Sequence, residues 1–509
     1  MKQLWRNLAA SLAITASSAI AVPVAHGEPI DLKVMSFNIW YGGEQVNFDK
    51  VVQIIRQVDP DIVGVQEPDD NLSKLAAATG LVYYDNRRDI ISRYPIFDPG
   101  LGERTKPGTD GYGIAGLNPD GIHALIMVRP GKVVAMANTH LSYDPEYGPD
   151  AVVAGKSADE VIAIENDTRG KEGAPLAALG KLTEQKIPVF LTGDFNSPSH
   201  LDWTDKTAAV RSTVKYPLAW PVTVQLEKAG FRDSYREIFP DPVKKPGLTW
   251  TAGTPTPVID PTWPLDRIDF VFAAGPSVTR NSQIVGEQDG PDVDVPFKNY
   301  PSDHRAVVST FSVEPADAKP MIAVEPRRVV QGGRFMLRYH LPAQEYVSMV
   351  VVKRGENPDA AITGIYEENV GYRTGLRLST FGMEPGNYDA VLLGEGKKEV
   401  SRTRFTIVSP DSKPMLEIVG PVKGGTDPSV RVRWSGAAGN RHDWLGIFKA
   451  NDPGVTNYFR YDYTDARFEG EMDIPLKSSD GAFEPGNYDV RLMNDDAYVE
   501  LARATFTIK

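Results

Sequence analysis

The hexapeptide Glu384-Pro385-Gly386-Asn387-Tyr388-Asp389 returns as Glu484-Pro485-Gly486-Asn487-Tyr488-Asp489, 100 residues further along the chain. Its surroundings return with it: Lys319-Pro320-Met321 is matched by Lys413-Pro414-Met415, and Phe405-Thr406-Ile407 by Phe506-Thr507-Ile508. Self-similarity at a fixed period means one folding unit written twice, so the C-terminal part of the chain cannot belong to a single large core. Each copy is a series of short alternating segments broken by Pro-Gly and Asn-Asp turns. Ser348 to Lys353 and Tyr388 to Leu393 belong to the first; Val430 to Trp434, Trp444 to Phe448 and Tyr488 to Met493 belong to the second. The pattern predicts two all-β sandwiches, at 321–409 and 414–509. Within them Trp434, Trp444, Tyr388 and Tyr488 read as core and turn residues.

The chain upstream obeys a different rule. Strand-like runs at Lys33 to Asn38, Asp61 to Gln66, Ala124 to Arg129, Val133 to Thr139, Pro188 to Thr192, Ile268 to Ala273 and Ala306 to Phe311 alternate with helical stretches, which predicts an α/β unit over 28–313. Val51, Val52, Ile54, Ile55 and Val58 mark one buried helical face, with Asn47 or Asp49 as the cap. From Glu314 to Pro320 a polar, Pro-containing stretch without periodicity reads as a linker. A chain of 509 residues is long enough for these three units, and 41% hydrophobic with 24% charged residues excludes wholesale disorder.

Lys2 and Arg6 precede a small-residue apolar run from Leu8 to Val24 that ends in Ala25-His26-Gly27. This is the layout of a secretory signal peptide spanning 1–27, and it predicts a periplasmic or secreted mature protein. No later segment reaches 18 apolar residues, so no stable membrane insertion is expected. With 55 Lys and Arg against 67 Asp and Glu, the formal charge of -12 excludes a generally basic protein that coats polyanions. The absence of cysteine removes disulfides, thiolate nucleophiles and Cys-ligated metals.

The chemistry lies in the α/β unit, where five predicted strand ends carry polar residues: Ser36-Phe37-Asn38, Val65-Gln66-Glu67, Asn138-Thr139-His140, Thr192-Gly193-Asp194-Phe195-Asn196 and Ser302-Asp303-His304. Singly, each is an ordinary strand terminus. Together they place carboxylates, carboxamides and imidazoles where loops at one sheet edge converge. Oxygen donors dominate, which suits a hard octahedral cation such as Mg²⁺, while the imidazoles leave Mn²⁺ open. No Gly-x-Ser-x-Gly nucleophile elbow is present, which argues against a serine hydrolase.

In this order and spacing the five segments resemble the endonuclease/exonuclease/phosphatase superfamily, which includes the DNase I-like nucleases, bacterial sphingomyelinases and inositol-polyphosphate 5-phosphatases. The resemblance covers Leu32 to Val313. It implies a four-layer α/β sandwich and a divalent-metal-dependent hydrolase of phosphate esters working by in-line attack of water. Residue by residue, it implies that Asn38, Glu67 and Asp303 hold the metal and that Asp194 orients or deprotonates the water with Asn196 beside it. It also implies that His304, steered by Asp303, contacts the phosphate, that His140 binds a phosphate oxygen or assists the leaving group, and that Asp233 is a further active-site carboxylate. Asp266-Arg267-Ile268-Asp269-Phe270 resembles the family's penultimate strand, with Arg267 and Asp269 either an internal ion pair or part of the site. The two repeats are expected to be immunoglobulin-like.

The substrate stays open among a nucleic-acid phosphodiester, a phospholipid or sphingomyelin head group and a small phosphoester such as an inositol phosphate. No basic-aromatic stripe marks a nucleic-acid surface. Pro261-Thr262-Trp263-Pro264-Leu265-Asp266-Arg267 loosely resembles a 5-phosphatase segment, with one residue too many. The stretch from Ser142 to about Gly173 is polar, contains Pro and Gly, and is a candidate lid or a surface excursion. The repeats are candidates for spacers or for binding a surface or polymer. A non-enzymatic surface-binding protein is a weaker reading, because no site residue is missing.

Overall fold

Ile30–Asn38 is the strand on which the N-terminal unit is built, and its two faces serve two different layers. In a computed structural model the described residues are 28–509, apart from 87, 98–121, 144–145, 251–264, 342–345, 369–374, 424–427, 438–442, 456, 465–466, 479–480 and 495–498. The predicted export segment 1–27 and Pro261 to Pro264 lie outside them. Leu32 and Val34 point toward a second sheet, where they meet Ile126, Val134, Met136 and Phe190. Met35 and Phe37 point the other way and are covered by Val51, Ile54 and Ile55 of the helix Phe48–Val58. The Asn47 side chain caps that helix by accepting from Lys50 N at 3.1 Å. A strand apolar on both faces is what a sheet covered on both sides demands.

The first sheet has seven strands, in the order Val295–Phe297, Ser277–Glu287, Ala306–Val313, Ile30–Asn38, Ile62–Gln66, Ile90–Ser92 and Tyr83–Asp85. The second runs Ile96–Phe97, His123–Arg129, Lys132–His140, Val189–Asp194, Asp269–Ala274 and Arg232–Asp233, with Ala316–Asp317 pairing on Lys132–His140. Its outer face, with Ala135, Ala137 and Leu191, packs on Leu176, Val222 and Leu226 of the helices Arg169–Ala178 and Pro221–Lys228. Helix, sheet, sheet, helix gives the four-layer α/β sandwich. All seven strand segments read from the sequence overlap strands here.

The stretch after His140, a candidate lid or surface excursion, holds the helices Gly148–Val153 and Ala158–Asp167 and enters Arg169–Ala178. A Ser157/Glu160 capping box starts the middle one. Fully buried Arg169 ties the segment down through Glu165 Oε1 at 2.9 Å and the carbonyls of Ser142, Tyr143 and Glu146. The presumed linker is docked rather than free, since Ala316–Asp317 extends the second sheet and Ala318 and Met321 bury against Phe97, Met127 and Val133.

Beyond it lie two pairs of sheets. Met321–Glu325, Arg334–His340 and Gly375–Ser379 face a five-stranded sheet built around Gly386–Leu393, with Val324, Leu337, Met349, Ala390 and Leu392 between them. Met415–Ile418, Ser429–Ser435 and Glu469–Pro475 likewise face a four-stranded sheet built around Gly486–Met493. The repeated hexapeptide has a mechanical role. Tyr388 and Tyr488 each donate their hydroxyl to the carbonyl four residues back, Glu384 at 2.6 Å and Glu484 at 2.8 Å. Asn387 and Asn487 accept from Thr406 and Thr507 on the next strand. Trp434, Tyr388 and Tyr488 sit in the sandwich cores. Trp444 does not: it lies on the outside of its sheet with Phe448 and Met493. No described helix is long and apolar enough to cross a membrane.

Candidate active site

Strand register assembles the site. Asn38 pairs with Gln66 in the first sheet, putting Glu67 one residue past the edge. In the second sheet His140 pairs with Asp194, which pairs in turn with Asp269. Neighbouring strands lie about 4.8 Å apart, so three ionisable side chains stand side by side on one edge. The polar residues just behind them join the two sheets: Gln66 donates to Asn138 Oδ1 at 2.6 Å, and Asn138 donates to the Val65 carbonyl at 2.7 Å. Gly64 permits this approach, because a Cβ there would lie 1.9 Å from Thr192 Oγ1.

Asp194 is the hub. Its Oδ2 lies 3.1 Å from Asn38 Nδ2, 3.5 Å from His304 Nε2 and 3.6 Å from His140 Nε2. Its Oδ1 accepts from Asn196 N at 2.9 Å. Asn38 also donates to Glu67 Oε1 at 2.9 Å, and Glu67 Oε2 accepts from Tyr41 N at 3.0 Å. Trp40, Tyr41, Glu67 and Asn196 have φ of 60°, 46°, 54° and 44°, a left-handed conformation that costs about 1–3 kcal/mol per non-glycine residue and clusters at functional sites.

Four expectations change. The carboxylate partner of His304 is Asp269, whose Oδ2 lies 2.9 Å from Nδ1, and not the adjacent Asp303. Ser302 Oγ accepts from His304 N and donates to the Asn38 carbonyl, and this turn sends the ring toward the Asp269–Ala274 strand. Asp233 is not among the cavity-lining residues: it receives Arg267 Nη1 and Nη2 at 3.0 and 2.6 Å and caps the helix Ser234–Ile238. Arg267 also bonds Asp202, so its partners are Asp202 and Asp233 rather than Asp269. Asn38 turns its amide nitrogen toward Glu67 and Asp194 and its oxygen toward Trp40 N. It bridges carboxylates, and to ligate an ion it would have to turn over.

Electrostatics follow from this packing. Burial alone would lower the His304 pKa, but the carboxylates of Asp269 and Asp194 outweigh it and hold the ring well above the ordinary histidine value. Asp303 is pushed up to about 6, first by burial and then by Glu67 and Asp194, against the opposing pull of His304. Asp303 Oδ1 is buried with no hydrogen-bond partner, and Glu67, Asp194 and Asp303 line one cavity of about 340 Å³ with no Lys or Arg among its described lining residues. A buried, unpaired carboxylate oxygen beside two further carboxylates fits a divalent cation. Asp194, Asp269 and His304 form a second donor group, their atoms within 4.8 Å of one another. The Asp269–His304 hydrogen bond already uses two of those donors, so Glu67 and Asp303 are the better cradle.

His140, Asn196 and His304 line the same cavity. The reading of the sequence did not single out most of its aromatic lining, which comprises Trp40, Tyr41, Tyr143, Tyr147 and Trp250 from the α/β unit, and Trp444, Tyr458, Tyr461 and Tyr463 from the second sandwich. The last four lie more than a hundred residues from any site segment, and nothing in linear order connects them to it.

A four-layer sandwich with carboxylates and imidazoles at the converging strand ends fits a hydrolase of the phosphoesterase or nuclease type. The chain belongs to the Endonuclease/Exonuclease/phosphatase family, whose model matches residues 35–304. An uncharacterized protein of Caenorhabditis elegans, F14F9.5, is 31% identical over 307 residues, covering 55% of this chain and 91% of its own. Among solved structures, an endonuclease/exonuclease/phosphatase from Beutenbergia cavernae has 16% identity and a TM-score of 0.30, covering 74% of this chain and 99% of its own. TDP2 of D. rerio complexed with single strand DNA product has 15% identity and a TM-score of 0.32, covering 55% and 98%. The mannosyl-6-phosphatase Bt3783 of Bacteroides thetaiotaomicron has 15% identity and a TM-score of 0.29, covering 55% and 99%.

Proposed function

We propose that this chain is an exported, divalent-cation-dependent phosphodiester hydrolase that uses water as its nucleophile. The observation that carries the reading is the convergence of Glu67, His140, Asp194, Asp303 and His304 on one cavity. Glu67 and Asp303 hold the cation, Mg²⁺ or Mn²⁺, which supplies charge neutralisation at the phosphate. Asp194 accepts a proton from the attacking water as the oxygen–phosphorus bond forms. Asn196, whose Nδ2 is anchored to the Leu141 carbonyl at 2.8 Å, fixes the loop beside it. His304, kept protonated by Asp269, hydrogen-bonds a phosphate oxygen. His140, on the other side of Asp194, donates the proton that leaves with the alcohol when its bond to phosphorus breaks. Export rests on the predicted signal peptide.

The test is hydrolysis by the purified mature protein of bis-aryl phosphate, mono-aryl phosphate, plasmid DNA, RNA and sphingomyelin, each with Mg²⁺, Mn²⁺ or chelator. Cation-dependent turnover of a diester, lost in His304→Ala, is expected. Turnover of none of the five, or full turnover in chelator, refutes the reading. Preference for the mono-aryl phosphate would make the protein a phosphomonoesterase.

A further inference from the structure

The cavity above the carboxylates has one wall that does not come from the α/β unit. Trp444, Tyr458, Tyr461 and Tyr463 belong to the outer face of the sheet ordered Tyr458–Tyr463, Trp444–Lys449, Gly486–Met493, Glu500–Ile508. The inner face, with Leu445, Ile447, Val490 and Leu492, makes the sandwich core. An outer face of an antiparallel sheet is ordinarily polar. Here it carries rings set nearly at right angles: Trp444 and Tyr458 have centroids 5.3 Å apart at 69°, Tyr458 and Tyr461 5.5 Å at 83°, and Tyr461 and Tyr463 5.5 Å at 76°.

Local structure is arranged to produce this. Tyr463 pairs with Trp444 and Tyr461 with Gly446; then a bulge drops Phe459 from the ladder, so Tyr458 pairs with Phe448 and joins the same face. A Cβ at Gly446 would lie 2.6 Å from the rings of both Phe448 and Trp444. The first sandwich is an internal comparison. Its Lys353–Tyr388 pairing corresponds to Lys449–Tyr488, which puts Ser348, Val350 and Val352 where the second copy has Trp444, Gly446 and Phe448. The aromatic set belongs to the copy that meets the cleft.

That copy is fastened beside the site at two points. Tyr461 Oη lies 2.7 Å from Ser142 Oγ, two residues after His140, and Asn494 bonds Asp70, three residues after Glu67. Among the described residues the lining combines nine aromatic residues with three carboxylates and two histidines, with no Lys or Arg. Proteins that grip nucleic acid do so with Lys and Arg on successive phosphates. An extra phosphate here would be desolvated beside carboxylates, because His304 and the cation are already engaged by the phosphate that reacts. An organic group that is neutral or cationic would instead pack on the ring faces and edges.

We propose that the second sandwich builds a substrate subsite, and that it selects compact phosphodiesters whose organic group carries no further negative charge. The inference rests on the phosphodiesterase reading above. The test uses the full mature chain and its Tyr461→Ala/Tyr463→Ala variant, with Tyr461→Phe as the conservative variant and Phe381→Ala, at an 87% exposed ring of the first sandwich, as control. Steady-state kinetics are measured on bis(4-nitrophenyl) phosphate and 4-nitrophenylphosphorylcholine, and nicking on plasmid DNA, after circular dichroism shows each variant folded. Losing two ring contacts raises KM for the compact esters about tenfold, with the larger share of the loss in KM rather than kcat. Tyr461→Phe recovers most of it, Phe381→Ala is neutral, and plasmid nicking does not fall. An active wild type whose KM is unmoved by the double substitution overturns the subsite. So does an equal loss on plasmid, or a wild type that prefers plasmid. Inactivity of the wild type on every ester overturns the phosphodiesterase reading instead.

Discussion

Asp269→Asn isolates the acid–base pair at the site. The side chain is wholly buried, and its Oδ2 lies 2.9 Å from His304 Nδ1, a charge-assisted hydrogen bond worth about 1.5–3 kcal/mol. Asparagine keeps the volume but removes the charge that outweighs the burial of the imidazole, and it places an amide where an acceptor stood. Loss of that hydrogen bond from the transition state alone predicts a fall in kcat of roughly 10 to 10². Loss of the correct protonation state extends this toward the roughly 10²–10⁴ attributed to general acid–base catalysis. The sign of the pH effect is fixed. His304 is held protonated by Asp269 and Asp194, so removing Asp269 lowers its pKa, and the alkaline limb of kcat/KM moves to lower pH. KM changes little, because Asp269 is not among the residues lining the cavity. The assay is a pH–rate series on bis-aryl phosphate with saturating Mg²⁺, for Asp269→Asn and Asp303→Asn in parallel. Unchanged turnover in Asp269→Asn, or an alkaline limb that moves in Asp303→Asn and not in Asp269→Asn, refutes the pairing.

Three further outcomes follow from the same packing. Glu67→Gln raises the Mg²⁺ concentration for half-maximal activity by about tenfold or more, because a neutral amide replaces a carboxylate donor; an unchanged Mg²⁺ titration counts against Glu67 as a ligand. Arg267→Ala strands Asp202 and Asp233 in the interior and lowers stability by about 3–5 kcal/mol, read as a reduced urea midpoint. Asp266 is buried and its pKa is raised to about 6, first by that burial, with Arg211 and Trp203 opposing. Unfolded chain ionises before folded chain does, so this group removes up to about 3 kcal/mol as pH rises from about 4 to about 6, and Asp266→Asn flattens that part of the stability profile.

The parts of this protein that the sequence exposes are those fixed by local rules. Strand-end polar residues such as Asn38, Glu67, His140, Asp194 and His304 stand out because a plain strand terminus has no need of them. The helix at Phe48–Val58 shows its 3.6-residue period. The partner of His304 was hidden for a geometric reason: side chains of adjacent residues diverge, so Asp303 beside His304 in the chain is not beside its ring, whereas Asp269 reaches it across the sheet edge. Asp233 resembled a catalytic carboxylate because a buried Asp next to a strand looks the same whether it faces a cavity or an arginine. Trp444 was read as core because burial and sheet face are separate properties, and only the cross-strand register tells which side of the sheet a ring occupies.

Duplication left this chain with two similar modules and, in principle, an unemployed surface on each. Side chains alternate with a period of two, so whether Tyr458 looks into the cleft or away from it depends on whether the count of residues to Tyr461 is odd or even. The supernumerary Phe459 settles that parity. Closing the bulge with the residue kept in the ladder would turn Tyr458 away from the cleft and Phe459, now packed on Phe483 and Tyr488, toward it, so one local irregularity of a strand decides how much of a spare domain faces the cavity.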